Sequence, residues 1–323
     1  MTEAVVAARE VHVAVAVVIR DGKVLIARRP DHVHQGGLLE FPGGKVELDE
    51  TVQQALVREI AEETGLSVPE GSLAPVIGIR HDYGDKRVFL DVWSTQDALG
   101  EAEGREGQPV EWVWPDELRD EDFPAANRPI IRALRLPPVL AITGTVENVA
   151  EGLSTLRTSL ARLSGEMVVL RATNLPVADY LQLSRQAVSV GSDAGVGVIV
   201  HGAPALFRET PGAAGLHLPW RQAAGLSARP IPDGAWLGVS CHDAGQIAQA
   251  TALGADYVTL GPVKPTATHP EASGIGWDDF RCLAAAARVP VYALGGLGPD
   301  DILRARDEGG QGVAGIRFWW PEI

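Results

Sequence analysis

The segment GKVELDETVQQALVREIAEETGL, residues 44–66, carries the strongest pattern in the chain. Residues 50–64 have the composition of a helix. Asp49 is a suitable N-cap because its carboxylate can accept a hydrogen bond from a free backbone N–H. Gly65 is suited to end the helix because it adopts a left-handed conformation without strain. The segment therefore predicts one helix with defined ends.

One face of this helix changes character along its length. It begins with an apolar stripe at helical spacing, made by Val52, Ala55 and Leu56. The stripe continues as Glu59, Glu62 and Glu63. Carboxylates three and four residues apart repel each other, and partial burial raises their pKa values. A solvated acidic helix end is the alternative, but the phase of the stripe favours a site for Mg²⁺, which binds oxygen ligands and substrate phosphates.

The spacing of this segment resembles the Nudix box, GX5EX7REUXEEXGU, at every specified position: Gly44, Glu50 and residues 58–66. The resemblance implies hydrolysis of a nucleoside diphosphate linked to another group by water that a metal ion activates. Mg²⁺ is the implied cofactor, with Mn²⁺ as an alternative. Glu59, Glu62 and Glu63 would hold the metal, and Arg58 would pair with Glu50. Several carboxylates are suitable as the catalytic base, and Glu59 and Glu62 are among them.

Residues 10–135 as a whole resemble the MutT hydrolases, which remove 8-oxo-dGTP from the nucleotide pool. The resemblance rests on LIARRPDHVHQGGLLEFPGGK (25–45), GREGQPVEW (104–112) and EDFPAANRPII (121–131). It implies that Arg29 contacts a phosphate and that Glu40, Phe41, Pro42 and Gly43 line the nucleotide site. The Gly43 carbonyl would contact the metal, Glu106 would serve as a further ligand or as the base, and Asn127 would bind the purine edge.

Each nucleotide contact also has a simpler interpretation. Asn127 follows Pro124 and is suited to a turn, Phe41 to a core, and Arg29 to a surface. Their joint occurrence at matching spacing favours the site. An Asn amide offers a donor and an acceptor side by side, as a purine edge requires. Residues 81–89, HDYGDKRVF, resemble MutT only loosely, which leaves the substrate preference open.

The sequence predicts an α/β chain of two domains, residues 1–136 and 137–323, separated near Leu136-Pro137-Pro138. The first is expected to be a Nudix α/β/α sandwich with a mixed sheet. The second contains eight apolar runs separated by helical spacers, which predicts a (β/α)₈ TIM barrel. These runs are 139–143, 167–172, 197–202, 215–219, 236–241, 257–261, 291–296 and 312–317.

Residues 139–320 resemble the thiamine-phosphate synthase family, which includes thiazole tautomerases. The stretches that carry the resemblance are GLHLP (215–219), LGVSCHDAGQIAQATALGADYVTLGPVKPTATHPEASGIGW (237–277) and PVYALGGL (290–297). The resemblance implies phosphate binding at the carboxyl ends of the strands, where barrels commonly bind it. The implied phosphate contacts are Thr266, Thr268, Gly295, Gly296 and Arg317.

The barrel departs from the synthase pattern in four places. VLRAT keeps only Arg171 of the pattern after strand two, and His201-Gly202 replaces an Asn-Asp pair after strand three. LPWRQ lacks the acidic metal ligand after strand four, and His269 replaces a lysine. Without acidic ligands a diphosphate-leaving reaction loses its main electrostatic support, so we expect a degenerate synthase.

Two further barrel histidines have open roles. His242 follows strand five and could shuttle a proton, although a hydrogen bond to its neighbours is the favoured interpretation. His217 is expected to face the barrel wall or interior as a packed, satisfied residue.

Three functions remain open: a nucleotide-sanitising hydrolase with a degenerate barrel, a bifunctional protein with a thiamine-biosynthesis step, and a hydrolase whose barrel binds a regulatory ligand. The net charge of −14 argues against a nucleic acid polymer as partner, since no basic patch is visible. Residues 11–19 are too few to cross a membrane, and no signal sequence is evident. Cys241 and Cys282 form no CxxC motif, so a cytoplasmic location is expected. The sequence does not indicate an oligomeric state.

Overall fold

The structure is a computed structural model that describes residues 10–32, 35–84, 87–163, 167–266 and 274–320. The chain divides into two compact units, Met1–Arg135 and Leu136–Ile323. In the described ranges, no helix is long and apolar enough to cross a membrane.

The first unit is built on a seven-stranded mixed sheet. Its strands are β1 (Glu10–Arg20), β2 (Lys23–Arg28), β3 (Leu39–Glu40), β4 (Gly43–Lys45), β5 (Ala74–Asp82), β6 (Arg87–Thr95) and β7 (Val110–Val113). Its helices are α1 (Val52–Thr64) and α2 (Arg128–Arg135). The order is β3-β2-β1-β6-β5, while β4 pairs with β1 and β7 pairs with β2. Strands β1 and β6 are parallel, and the other pairs are antiparallel.

Alternate residues of β1 face the two helices. Ala14 and Ala16 share a buried cluster with Leu56 of α1. Val15 and Val17 point to the opposite face, where the cluster includes residues of α2. Because side chains alternate along a strand, one central strand buries apolar surface on both faces. The predicted α/β/α sandwich with a mixed sheet is confirmed.

Helix α1 begins at Val52, two residues later than it would with Asp49 as its N-cap. Its N-cap is Thr51, whose hydroxyl accepts a hydrogen bond from the Gln54 N–H, while the Gln54 side chain accepts one from the Thr51 N–H. This reciprocal pair is a capping box. Asp49 lies in the preceding turn with φ 71°, so its prediction as the N-cap is wrong. Gly65 ends the helix with φ 73°, as predicted.

The second unit is a closed barrel of eight parallel strands. The strands are β8 (Val139–Ile142), β9 (Met167–Leu170), β10 (Gly197–His201), β11 (Gly215–Leu218), β12 (Trp236–Cys241), β13 (Tyr257–Leu260), β14 (Val291–Leu294) and β15 (Gly312–Gly315). The helices are α3 (Val149–Leu160), α4 (Val177–Asp193), α5 (Pro204–Arg208), α6 (Trp220–Ala223), α7 (Ala244–Ala252), α8 (Gly276–Ala286) and α9 (Ile302–Asp307). All eight predicted strands are present, and the predicted TIM barrel is confirmed.

The barrel interior is filled by large side chains from alternating positions. Tyr257 is fully buried there, and its ring contacts that of Tyr292 at a centroid distance of 5.7 Å. Val258 and Leu260 point outward into the cluster that includes Phe280 of α8. The period of two along β13 therefore directs Thr259 inward together with Tyr257.

Candidate functional site

The carboxylate of Glu63 is the centre of the acidic site in the first unit. Its Oε2 accepts a hydrogen bond of 3.0 Å from the backbone N–H of Gly43. Burial raises the pKa of Glu63 to about 8, and the Gly43 bond opposes this shift. The carboxylates of Glu40, Glu59 and Glu106 raise this pKa further. Glu63 thus interacts with three other carboxyl groups, one from α1, one from β3 and one from the segment before β7, in a partly buried site.

Glu40 joins this site to a basic side chain. Burial raises the pKa of Glu40, an ion pair with Arg29 lowers it, and Glu106 raises it. Arg29 follows β2 and Glu40 lies in β3, which pairs with β2. The sheet therefore brings together the predicted phosphate contact and two of the predicted carboxylates.

Arg58 of α1 connects Glu50, which precedes the helix, with Glu59 and Glu62. Its guanidinium lies 2.7 Å from Glu50 Oε1, 2.8 Å from Glu59 Oε1 and 3.3 Å from Glu62 Oε2. It also donates to the Lys45 carbonyl at 3.2 Å. The predicted ion pair between Arg58 and Glu50 is present, and the same guanidinium also forms an ion pair with Glu59. The Glu62 side chain is 58% exposed and faces solvent.

Two adjacent glycines let the helix approach the sheet. Gly43 has φ 150°, and a Cβ there would overlap the carbonyl oxygen of Ala14 in β1. A Cβ on Gly44 would overlap the carboxylate of Glu59. Gly43 leaves room against the backbone of β1, and Gly44 leaves room for the Glu59 carboxylate, so the pair permits the close packing of β4, β1 and the acidic face of α1.

The donor set of this site suits a hard divalent cation. Coupled carboxylates that resist ionisation together are stabilised when a cation lies among them. Burial and the neighbouring carboxylates raise the pKa of Glu63, so its charged form is disfavoured and a nearby cation would stabilise it. Among the residues that the structure describes, no three His, Cys, Asp or Glu side chains already form a metal-binding group. Arg58 holds Glu59 and Glu62 instead.

The predicted base-binding residues lie on the other side of the sheet from α1. Asn127 is 8% exposed and directly precedes α2. Phe41 is 4% exposed and stacks on Phe123 at a centroid distance of 5.5 Å, as a core residue would. Pro42 is tied to β1 because its carbonyl accepts a 2.8 Å hydrogen bond from Ala16.

Tyr83 is a neighbour of this region that the sequence did not single out. Burial raises the pKa of its hydroxyl, a hydrogen bond with the Ala126 backbone lowers it, and the charge of Arg29 lowers it as well. These interactions place Tyr83 between Arg29 and the segment that carries Asn127. The only sequence signal was its position in the stretch that resembles MutT loosely.

The barrel contains a cavity of about 820 Å³ at the carboxyl ends of its strands. Its lining includes the predicted residues Arg171, His242, Thr266, Gly295, Gly296 and Arg317. The structure thus brings together four of the five predicted phosphate contacts with Arg171 and His242, and His201 and His217 also line the cavity. Thr268 and His269 lie outside the described residues.

The cavity has a cationic side that the sequence did not predict. His201 and Arg221 line it next to Arg171. Burial lowers the pKa of His201 to about 4, and the charges of Arg171 and Arg221 lower it further. Burial also lowers the pKa of Arg171. Arg221 lies in LPWRQ, a segment noted only for lacking an acid.

A polar network lies beneath the cavity. His217 Nε2 is 2.9 Å from Ser240 Oγ, and His217 Nδ1 is 3.2 Å from the Tyr257 hydroxyl. Burial and the neighbouring His201 lower the pKa of His217 to about 3, so it is neutral at pH 7. His217 is thus a packed, satisfied residue, as predicted. His242 Nδ1 lies 2.7 Å from the Gly261 carbonyl, which agrees with the hydrogen-bonded interpretation.

Both units match known families. The family model for the NUDIX domain matches residues 14–133, and that for thiamine monophosphate synthase matches residues 139–318. The chain therefore belongs to the Nudix family through its first unit and to the thiamine monophosphate synthase family through its second.

Curated relatives agree with this division. An 8-oxo-dGTP diphosphatase of Escherichia coli (strain K12) is 37% identical over 128 residues, which cover 39% of this chain and 98% of the relative. A CTP pyrophosphohydrolase of the same organism is 37% identical, covering 38% of this chain and 90% of the relative. A putative thiamine-phosphate synthase of Geobacter sulfurreducens is 34% identical, covering 46% of this chain and 70% of the relative.

Proposed function

We propose that the first unit hydrolyses 8-oxo-dGTP to the nucleoside monophosphate and pyrophosphate, with Mg²⁺ as its cofactor. The observation that carries this proposal is the partly buried carboxylate cluster around Glu63, which adjoins the Arg29–Glu40 pair. The likeness to the Escherichia coli 8-oxo-dGTP diphosphatase supports the choice of substrate.

In this proposal the carboxylates of the site share two tasks, metal binding and proton transfer. Glu59, Glu62, Glu63, Glu106 and the Gly43 carbonyl are the candidate metal ligands. The bound ion supplies charge stabilisation to the phosphate oxygens. One of the carboxylates takes the proton of the attacking water, and Glu59, Glu62 and Glu106 are the candidates.

The remaining residues position the nucleotide. Arg29 binds a phosphate oxygen, and its present partner Glu40 keeps the guanidinium at the mouth of the site. Asn127 offers its amide to the purine edge. Phe41, with Glu40, Pro42 and Gly43, forms the wall on which the nucleotide rests. Phe41 serves through packing on Phe123 rather than through an exposed face.

A second candidate substrate is CTP. The CTP pyrophosphohydrolase relative has the same identity to this chain as the 8-oxo-dGTP diphosphatase. The loosely matching segment that contains Tyr83 adjoins the base-binding residues, and a difference there would alter base choice. The two substrates are therefore compared directly in the test.

The test measures pyrophosphate release from 8-oxo-dGTP, dGTP and CTP, each with Mg²⁺, with Mn²⁺ and with EDTA. Glu62→Gln is the active-site variant, and Glu70→Gln, an exposed carboxylate of the same unit, is its matched control. We expect metal-dependent release with a preference for 8-oxo-dGTP, lost only in Glu62→Gln. A preference for CTP would select the second candidate. Release in EDTA would contradict the metal-dependent mechanism.

We further propose that the barrel has lost synthase activity. Of the described residues that line its cavity, Asp300 is the only carboxylate, while three are arginines. An acid-poor site gives little support to a Mg²⁺-bound diphosphate leaving group. Incubation with hydroxymethylpyrimidine diphosphate, thiazole phosphate and Mg²⁺ should yield no thiamine phosphate. Formation of thiamine phosphate would establish the bifunctional alternative.

A further inference from the structure

Two aromatic side chains at the end of β5 lie on the same face of the sheet as α2. Ile79 is buried in the cluster on this face, and His81 follows it at the period of two that directs strand side chains to one face. The ring of Tyr83 continues the series just after the strand and packs against the cluster that includes Phe41 and Phe123. The rings of His81 and Tyr83 meet edge to face, with their centroids 4.4 Å apart. Packing therefore holds the Tyr83 ring on the side of the sheet opposite to α1.

The turn that carries Asn127 lies against β5 and leaves one backbone donor without a partner of its own. The turn spans Ala125–Asn127 with Pro124 as its N-cap, and the Asn127 N–H donates to the Pro124 carbonyl at 2.9 Å. The N–H of Ala126 precedes this first bond, so no carbonyl within the turn is available to it. Because Ala126 is only 2% exposed, its N–H needs a partner from another segment.

The hydroxyl group of Tyr83 supplies this partner. Burial raises the pKa of this hydroxyl, and a hydrogen bond with the Ala126 backbone lowers it. A bond that favours the charged phenolate is one donated by the N–H, so the Tyr83 oxygen is the acceptor. The positive charge of Arg29 also lowers this pKa, so the guanidinium lies near the same hydroxyl. One hydroxyl thus lies between Arg29 and the turn that carries Asn127.

We propose that Tyr83 is a positioning residue for base selection, and that its hydroxyl holds the Asn127 turn in a fixed place relative to Arg29. This inference rests on the proposed function, in which Asn127 binds the base and Arg29 binds a phosphate. A nucleotide that contacts both residues is selected by its base only if the two are held at a set separation, because a displaced amide cannot form both hydrogen bonds to a purine edge. Tyr83 acts through the main chain of Ala126 and needs no contact with the nucleotide.

Replacement of Tyr83 by Phe removes the hydroxyl and keeps the ring, which His81 and the apolar cluster hold in place. The ratio of kcat/KM for 8-oxo-dGTP to that for dGTP should fall by about threefold to tenfold, as expected for the loss of one hydrogen bond. The KM for 8-oxo-dGTP should rise more than kcat falls, because the carboxylate cluster beside α1 is unchanged. An unchanged ratio in Tyr83→Phe would overturn the proposal.

A double variant decides whether Tyr83 acts through Asn127. Residues that act through one contact are not additive, so Tyr83→Phe should cause no further loss of selectivity in an Asn127→Ala background. Additive losses would show that Tyr83 contacts the nucleotide directly and would contradict the positioning role.

Tyr180→Phe is the matched control for the loss of a tyrosine hydroxyl that is bonded to the backbone. In the barrel, this hydroxyl donates to the Leu170 carbonyl at 2.8 Å and accepts from the His201 N–H at 2.8 Å. The control should leave the ratio for the two nucleotides unchanged. An equal fall in Tyr180→Phe would show that the effect is not local to Tyr83.

Amide hydrogen exchange in the full chain tests the contact without any substrate. The Ala126 N–H should exchange about tenfold faster in Tyr83→Phe than in wild type, because its partner is lost. The Ala16 N–H, which donates to the Pro42 carbonyl at 2.8 Å, should exchange equally in both proteins and reports any global change. Equal exchange of Ala126 in both proteins, with a wild type that prefers 8-oxo-dGTP, would overturn this inference alone. A wild type without that preference would overturn the proposed substrate, and base selection by Tyr83 with it.

Discussion

The backbone N–H of Gly43 donates a 3.0 Å hydrogen bond to Oε2 of Glu63, which joins strand β4 to the acidic face of α1. This bond stabilises the charged form of Glu63, which burial and three neighbouring carboxylates disfavour. The site therefore keeps an electrostatically costly group in place through a main-chain contact. A cation bound at the proposed site would offset this cost and would link stability to the proposed function.

Replacement of Glu63 by Gln should stabilise the metal-free protein at high pH. The pKa of Glu63 is raised from 4.5 to about 8, so the folded state binds more protons than the unfolded state between these values. The contribution of Glu63 to the free energy of unfolding is complete below pH 4.5 and is lost as the pH rises through 8. Glutamine has no titrating carboxyl group, and its side-chain oxygen can still accept the hydrogen bond from the Gly43 N–H. Thermal melts in EDTA at about pH 9 should show a higher midpoint for Glu63→Gln.

The same variant should lose activity, which separates this effect from general stabilisation. Pyrophosphate release should fall by about tenfold or more, because a charged group proposed as a ligand of the metal becomes neutral. Glu70→Gln, on the exposed surface, should change neither quantity. A Glu63→Gln protein that melts earlier than wild type at high pH would contradict the assigned electrostatic cost.

Substitution of the two adjacent glycines should have two different consequences. In Gly43→Ala the new methyl group meets the backbone of β1, which cannot move without disrupting the sheet. This variant should lose roughly 2–3 kcal/mol of stability. In Gly44→Ala the methyl group meets the Glu59 carboxylate, a side chain that can rotate away. This variant should keep most of its stability and lose activity.

Urea unfolding and pyrophosphate release distinguish the two variants. Ser67→Ala, at an exposed position just after α1, is a suitable control for a small surface change. Comparable stability of Gly43→Ala and Gly44→Ala would show that the backbone approach at Gly43 does not constrain the sheet.

The sequence predicted those features that depend on spacing along one element. The eight apolar runs form eight barrel strands, and Ala55 and Leu56 of the predicted stripe are buried. The stripe then continues through Ile60 and Thr64, whereas Glu62, which was predicted to extend it, is exposed. The start of α1 was wrong because two polar residues compete for the cap. Thr51 has a reciprocal partner in Gln54 three residues later, whereas Asp49 is placed in a turn by its positive φ.

Features that depend on tertiary packing were not predictable in this way. The sequence around Arg221 and Tyr83 does not reveal that each faces a site. Arg221 lies in the short helix α6 after β11, and Tyr83 follows β5, so the direction of each side chain depends on the packing of distant strands. The unpaired hydroxyl of Thr259 requires knowledge of every neighbour within the barrel. Burial of Phe41 against Phe123, which are far apart in sequence, likewise depends on how α2 and the sheet meet.

Replacement of Asn127 by Ala should reduce discrimination between substrates more than it reduces catalysis. If its amide binds the purine edge, removal costs about 1–3 kcal/mol of selectivity. The ratio of kcat/KM for 8-oxo-dGTP to that for dGTP should fall by roughly tenfold or more, while kcat changes less. Asn148→Ala, an N-cap in the barrel, is a matched control for loss of an amide. An unchanged ratio would leave Asn127 as a turn residue.

Replacement of His217 by Gln should make the barrel less sensitive to acid. The pKa of His217 is lowered from 6.5 to about 3, so the folded state binds fewer protons than the unfolded state between these values. The stability contributed by the neutral ring is therefore present above pH 6.5 and is lost as the pH falls towards 3. The loss amounts to at most about 1.4 kcal/mol per pH unit for one proton.

Calorimetric melts between pH 7 and about pH 4.5 measure this effect. At pH 7 the variant should melt earlier, because the contacts to Ser240 and Tyr257 are weakened. On acidification its midpoint should fall less steeply than that of wild type. Ser240→Ala weakens the same network without removing a titrating group, so it should lower the midpoint and keep the wild-type slope. If His217→Gln also kept the wild-type slope, the acid sensitivity would have to arise elsewhere, with His201 beside Arg171 and Arg221 as the next group to replace.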